Sequence, residues 1–129
     1  MCLDAEGLKV LKKQDRTIRI GYKFVSRRYR SEGVVYSPNT FPGHGIYFRV
    51  GKWTVDKPSK KKIRVGRWQE HPLFYPRGFH IYATKYGSWG SFGPLAKVAF
   101  RRVVAVGKQR GRKVYVAKEL KILKIMRDY

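Results

Sequence analysis

The chain has 129 residues, of which 30 are Lys or Arg and 8 are Asp or Glu, giving a formal net charge of +22. Its 43% hydrophobic and 15% aromatic content excludes a basic disordered tail, because such tails contain little apolar surface. The composition predicts a single domain over 1–129 with a cationic surface suited to a polyanionic partner. No stretch approaches the roughly 18 apolar residues of a membrane span, and no secretory signal pattern is present, so we expect a cytoplasmic protein.

The first 16 residues predict a short helix or an arm. Acids precede lysines in 4–13, an order that suits the helix dipole, although Gly7 weakens a helix. The β-rich core is predicted over 17–126. In 17–25, Ile18, Ile20, Tyr22 and Phe24 alternate with Arg19, Gly21 and Lys23, as in a half-buried strand. A polar turn is predicted over 27–33 and a short strand over 34–36.

The middle of the chain alternates loops and short strands. We expect a loop rich in Pro and Gly at 39–45, a strand at 46–55 interrupted near Gly51, and a basic loop at 56–62. A short strand is predicted at 63–68, a loop with two prolines at 70–78, and a strand at 79–84. The segment 85–94 combines glycines with aromatic residues and predicts another loop.

The end of the chain predicts a long β-hairpin. In 95–107, Val98, Phe100, Val104 and Val106 share one face of a strand, and in 113–125 Val114, Val116, Leu120 and Ile122 do the same. The intervening 107–112 predict the turn. The fold class is therefore mainly β (α+β at most), with an antiparallel, strongly curved sheet or small barrel.

Clusters of basic residues are the candidate nucleic-acid contacts. The stretch 71–118 contains ten Lys and Arg and no acid, so ion pairs cannot neutralise it locally. Solubility alone needs a net charge of only about 2–8. Basic residues beside aromatic rings suit binding to phosphates and bases. The candidates are Arg27, Arg28, Arg30, Lys60, Lys61, Lys62, Arg64, Arg67, Trp68, Arg101, Arg102, Lys108, Arg110, Arg112 and Lys113.

Signals for catalysis are weak. One cysteine and three widely spaced histidines do not predict a metal site, no Walker or nucleophile-elbow pattern occurs, and no cofactor is predicted. Tyr47, His80 and Glu119 are the candidates for a pocket. His80 is interpreted as a structural histidine or a phosphate donor or general base, and Glu119 as a cross-strand ion-pair partner.

Two resemblances bear on function. The segment 43–48 (GHGIYF) resembles the ADP-ribosyltransferase strand whose tyrosine stacks on nicotinamide, and this would make Glu119 the catalytic glutamate. The upstream His or Arg motif of that family is not matched.

The stretches GYK (21–23), YFRVGKW (47–53), GFHIY (78–82) and the tail 98–123 together resemble a family of small uncharacterised phage and bacterial proteins. That resemblance implies a phage or mobile-element origin and no established activity. It covers roughly 18–125.

The favoured hypothesis is a non-catalytic nucleic-acid-binding protein that neutralises phosphates and stacks bases on aromatic side chains. The alternative is an interaction protein or inhibitor that docks on an acidic host protein, such as a defence nuclease complex. A small ADP-ribosyltransferase-like enzyme is the least favoured. The sequence leaves open the choice between DNA and RNA, the sequence specificity and the oligomeric state.

Overall fold

The computed structural model describes residues 7–31, 33–38, 47–56, 62–65, 73–76, 78–85, 94–109 and 111–127. Within these ranges the chain forms nine strands and no helix. The strands are β1 (Lys9–Asp15), β2 (Arg19–Arg30), β3 (Gly33–Pro38), β4 (Trp53–Val55), β5 (Lys62–Val65), β6 (Leu73–Pro76), β7 (Phe79–Tyr82), β8 (Leu95–Gln109) and β9 (Arg112–Arg127).

Seven strands form one antiparallel, strongly curved sheet, as the sequence predicted. Its order is β1-β8-β2-β7-β9-β4, with β3 beside β2, while β5 and β6 form a separate ribbon. Strands β8, β2, β7 and β9 pair in a ring because β9 also pairs with β8. The β2–β7 side of this ring rests on the single pair Tyr22–Tyr82, so the sheet is not a clear barrel.

The main core lies on one side of the curved sheet. Phe48, Phe79 and Phe100 are fully buried there, with ring centroids of Phe48 and Phe79 5.2 Å apart. Aliphatic residues of β2, β7, β8 and β9, together with Tyr36 of β3, complete this cluster. A second cluster contains Val104, Ala105, Val114 and Val116, and a third pairs Phe24 with Leu95.

The long hairpin changes its facing midway. On β8 the main cluster contains Phe100 and then Val103, and on β9 it contains Ala117 and then Leu120, a spacing of three instead of two. The two irregularities coincide because Arg101 pairs with Glu119 and Val103 with Ala117. We call residues 101–102 and 118–119 the strand kink.

The kink corrects the prediction that each long strand keeps one face throughout. Val104, Val114 and Val116 lie in the second cluster, whereas Val98, Phe100, Leu120 and Ile122 lie in the main one. Simple alternation cannot anticipate such irregularities, each of which reverses the facing of the residues up to the next one. On β8 a second register shift between Val103 and Ala105 turns Val106 back to the main cluster, as predicted.

The predicted N-terminal helix is wrong over its described part. Residues 9–15 form β1, which pairs with β8 through Lys9–Val106 and Val10–Ala105. Leu11 packs against the main core. Edge pairing with a long neighbouring strand outweighs a local helix preference that Gly7 already weakened.

Three further boundaries differ from the sequence predictions. β2 continues through Arg30, paired with β3, where 27–33 had been predicted as a turn. β6 replaces part of the loop predicted at 70–78, and its Pro76 lies at the strand end, where the missing amide is tolerated. The strand predicted at 46–55 reduces to a bridge at Phe48 and β4, separated by Gly51 in the left-handed region (φ 82°). The loops predicted at 39–45 and 85–94 lie almost wholly outside the described residues.

Candidate functional site

A cluster of charged side chains occupies the strand kink. Arg101 of β8 lies opposite Glu119 of β9, and its Nε and Nη2 donate to the two carboxylate oxygens over 3.1 and 3.3 Å. Both side chains are partly buried. This is the cross-strand ion pair that the sequence favoured for Glu119, with the two-point geometry that strengthens arginine–carboxylate pairs.

A second ion pair lies beside it. Lys118 Nζ is 3.9 Å from Asp56 Oδ2, and the Asp56 side chain is fully buried. The backbone amide of Asp56 also donates to the Lys118 carbonyl over 2.8 Å. Ion pairs therefore hold both strands of the kink: Glu119 contacts Arg101 of β8, and Asp56 contacts Lys118 of β9.

Arg102 adopts a left-handed backbone conformation at this kink, with φ of 59°. Such a conformation is costly for a residue with a side chain. Its Nε donates to Gln14 Oε1 over 3.0 Å and lies 3.9 Å from Glu119 Oε2. Gln14 comes from β1, so pairing between β1 and β8 brings a distant segment to the arginine.

Arg16 reaches the same place from the turn between β1 and β2. The Thr17 amide and the Arg19 guanidinium donate to Asp15, and these hydrogen bonds lower the pKa of Asp15 to about 2. The charged carboxylate holds the turn in shape. Arg16, Arg101, Arg102 and Glu119 line a cavity of about 390 Å³.

Trp53 lies next to this cluster with two cations over its ring. The Arg101 Cζ atom is 4.0 Å from the ring centroid and Lys121 Nζ is 5.1 Å from it. Trp53 faces Lys121 across the β4–β9 ladder, which explains the approach. Cations held against an indole suit a surface that binds both phosphates and bases.

The β2–β3 ribbon presents a second basic surface. Arg27 and Arg28 are exposed, and Tyr29 is 77% exposed. Hydrogen bonds with Tyr29 and Tyr36 raise the pKa of the Arg27 guanidinium. Arg30 continues the same strand opposite Gly33.

The end of the β8–β9 hairpin presents a third basic surface. Lys108 and Lys113 lie opposite each other in the strand ladder and are exposed, while Arg112 is half-buried. Lys113 Nζ lies 5.0 Å from the Tyr115 ring centroid, and Arg19 Cζ lies 5.7 Å from it. Charge at this hairpin end is therefore again held beside an aromatic ring.

Several predicted contact residues lie outside the described part of the chain. These are Lys60, Lys61, Arg67, Trp68 and Arg110. Lys62 and Arg64 belong to β5, whose backbone pairs with β6. Their predicted role stays a prediction.

The predicted pocket residues lie on three different parts of the chain. Tyr47 is exposed next to the Phe48 bridge, whereas His80 is buried in β7. Burial, and secondarily the charge of Lys23, lower the pKa of His80 to about 3, so its imidazole is neutral at pH 7. Of the described residues, Glu119 lines the kink cavity and Tyr47 and His80 do not.

Sequence reasoning did not identify Lys23 as unusual. Its side chain is 1% exposed, and its Nζ donates to the His80 carbonyl over 2.8 Å. Burial lowers the pKa of Lys23 to about 7. Sequence reasoning also did not identify Arg16, Gln14 or Lys121 as members of a site, because only strand pairing brings them to Arg102 and Trp53.

Comparisons with known proteins add no relative. No family model, curated protein or solved structure matches the chain. The resemblance to small phage and bacterial proteins therefore stays a prediction. No helix in the described ranges is long and apolar enough to cross a membrane. Among the same residues, no group of three or more His, Cys, Asp or Glu could hold a metal ion.

Proposed function

We propose that the protein binds nucleic acid without catalysing a reaction, through phosphate neutralisation and base stacking. The observation that carries the proposal is the group of charged side chains at the strand kink, where, among the described residues, three arginines and one glutamate line a cavity beside Trp53. Two further basic surfaces, on the β2–β3 ribbon and the β8–β9 hairpin end, would extend phosphate contacts around the sheet.

The arrangement favours binding over solubility alone. A solubilising surface needs charges that are dispersed and well hydrated. Here Arg101, Arg102 and Arg16 converge on one cavity, although like charges repel each other. An anionic ligand would relieve that repulsion, and stacking on an aromatic ring adds about 1–3 kcal/mol per base.

Binding should be strongly salt dependent. If about eight phosphates are contacted, log K should fall with log salt at a slope near −7, or about 10⁴-fold between 50 and 200 mM salt. Fluorescence anisotropy of a labelled oligonucleotide measures this directly. Trp53→Leu should weaken binding about 5- to 100-fold with little change in slope, and Trp53→Phe should retain most of the affinity. Absence of binding at 50 mM salt, or salt-independent affinity, would contradict the proposal.

Glu119→Gln separates this function from the transferase alternative. Removing the carboxylate frees Arg101 from its partner, so affinity for nucleic acid should rise several-fold while stability falls by about 1–2 kcal/mol. Anisotropy and urea unfolding measure the two effects. Loss of a biological effect with unchanged nucleic-acid affinity would instead favour a catalytic glutamate.

The acidic-protein alternative has one specific observation in its favour. Tyr29 and Val34 lie opposite each other on the ribbon and are both exposed, next to Arg27 and Arg28. An apolar pair flanked by cations also suits a protein surface. Failure of nucleic-acid binding, together with a stoichiometric complex that survives nuclease treatment, would support this alternative.

A further inference from the structure

We infer that the kink cavity binds the terminal phosphate of a nucleic-acid strand. This inference rests on the proposed nucleic-acid binding and goes further by naming a chain end as the ligand of one site. The lining residues Arg16, Arg101, Arg102 and Glu119 carry it.

The first argument is the supply of hydrogen-bond donors. Among the described residues, Arg102 makes its contacts to Gln14 and Glu119 through Nε alone, which leaves Nη1 and Nη2 to other acceptors. Arg16 makes no ion pair within the described ranges. A guanidinium presents its donors as a planar fork that matches phosphate oxygens in pairs. Two such forks meet at one cavity.

The second argument is charge. Among the described residues, three guanidinium groups and one carboxylate line the cavity, and these side chains together carry two net positive charges. A phosphomonoester carries about −1.5 to −2 at pH 7, whereas each internal phosphodiester carries one negative charge. The cavity therefore matches a strand end better than the interior of a strand. Its volume of about 390 Å³ also leaves room for part of the terminal nucleotide.

The third argument is the strained backbone of Arg102. A left-handed conformation is unfavourable for residues with a side chain and is favoured at Gly, with Asn the next most tolerant. Arginine at such a position aims its side chain at the cavity against this cost. Gln14 and Glu119 then hold its Nε and so set the orientation of the two remaining nitrogens.

The test uses one labelled single-stranded oligonucleotide with a 5′-phosphate, a 3′-phosphate or hydroxyls at both ends. We expect one terminal phosphate to raise affinity at least tenfold over the hydroxyl form. Arg102→Asn should abolish that difference and should also weaken binding of the hydroxyl form, because Arg102 is itself one of the proposed nucleic-acid contacts. Lys12→Asn removes the same charge from an exposed position on β1 and should retain the difference.

Thermal unfolding is measured for each variant. Because asparagine tolerates the left-handed region, Arg102→Asn should keep a melting temperature close to that of the wild type. Arg102→Lys keeps the charge but not the fork, and should restore only part of the difference. Competition with a nucleoside monophosphate and with inorganic phosphate separates a strand end from a free phosphate.

Equal affinity for all three forms of the oligonucleotide would overturn this inference but would not contradict nucleic-acid binding. A terminal-phosphate preference that survives in Arg102→Asn and in Arg16→Gln would also overturn it, because the preference would then arise elsewhere. Absence of binding to every form at 50 mM salt would overturn both proposals.

Discussion

Replacing Lys23 with methionine should stabilise the protein by roughly 5 kcal/mol at pH 6 and have little effect at pH 10.5. The Lys23 side chain is buried in the main core, where desolvation lowers its pKa from 10.5 to about 7. Each unit of difference between folded and unfolded pKa corresponds to about 1.4 kcal/mol. Methionine has a similar length and no charge to desolvate.

The direction of the pH dependence follows from proton binding. Between pH 7 and 10.5 the unfolded chain holds the Lys23 proton and the folded chain does not, so wild-type stability rises with pH across this window. Below pH 7 both states hold the proton and the penalty is constant. The advantage of Lys23→Met should therefore be constant below pH 7 and shrink steadily above it.

Urea unfolding of both proteins at several pH values from 6 to 10.5 measures the difference. Titrating groups away from Lys23 act on both proteins and cancel, whereas the His80 pKa is lowered partly by the Lys23 charge and therefore changes with the substitution. Lys12→Met, at an exposed position, should change the free energy of unfolding by no more than about 0.5 kcal/mol. A Lys23→Met variant that is less stable than the wild type at every pH would show that the hydrogen bond to the His80 carbonyl outweighs desolvation.

Residue alternation correctly predicted the strands that form the centre of the sheet, but not that the less apolar face of β2 is the more fully buried. On the apolar face Ile18 and Ile20 are exposed and Phe24 is buried, whereas on the other face Gly21, Lys23 and Val25 are all buried. Alternation shows that two faces differ. Which one lies inside depends on how β7, β8 and β9 curve around the strand, and this is information that the local pattern does not contain.

The candidate site was also only partly predictable from the sequence. The adjacent pair Arg101 and Arg102 and the isolated Glu119 stand out in the sequence as a basic cluster and a lone acid. Arg16 and Gln14 come close to these residues only because β1 pairs with β8, and the sequence predicted β1 as a helix or an arm. A left-handed arginine within a strand has no sequence signature, because its conformation arises from the combined register of β8 and β9.

Gly21 shows how tightly the curved sheet closes, and Gly21→Ala should destabilise the protein by about 3 kcal/mol. An added Cβ would lie 2.6 Å from Ile81 Cγ2, 2.8 Å from the Tyr82 carbonyl oxygen and 2.9 Å from the Phe100 ring. Two of these neighbours are buried core side chains and the third is backbone, so none can move freely. Overpacking of this kind costs typically 1–3 kcal/mol and occasionally more.

Gly51→Ala provides the matched control for this effect. Nothing lies within 4 Å of its added Cβ, but its φ of 82° makes the backbone strained for alanine. It should therefore cost only about 1 kcal/mol, through conformation rather than crowding. Urea unfolding compares the two variants.

Because β2 and β7 meet at the single pair Tyr22–Tyr82, the Gly21→Ala substitution should separate these two strands, where the ring has the least backbone pairing. A Gly21→Ala variant as stable as Gly51→Ala would mean that β2 lies farther from β7 than these distances indicate.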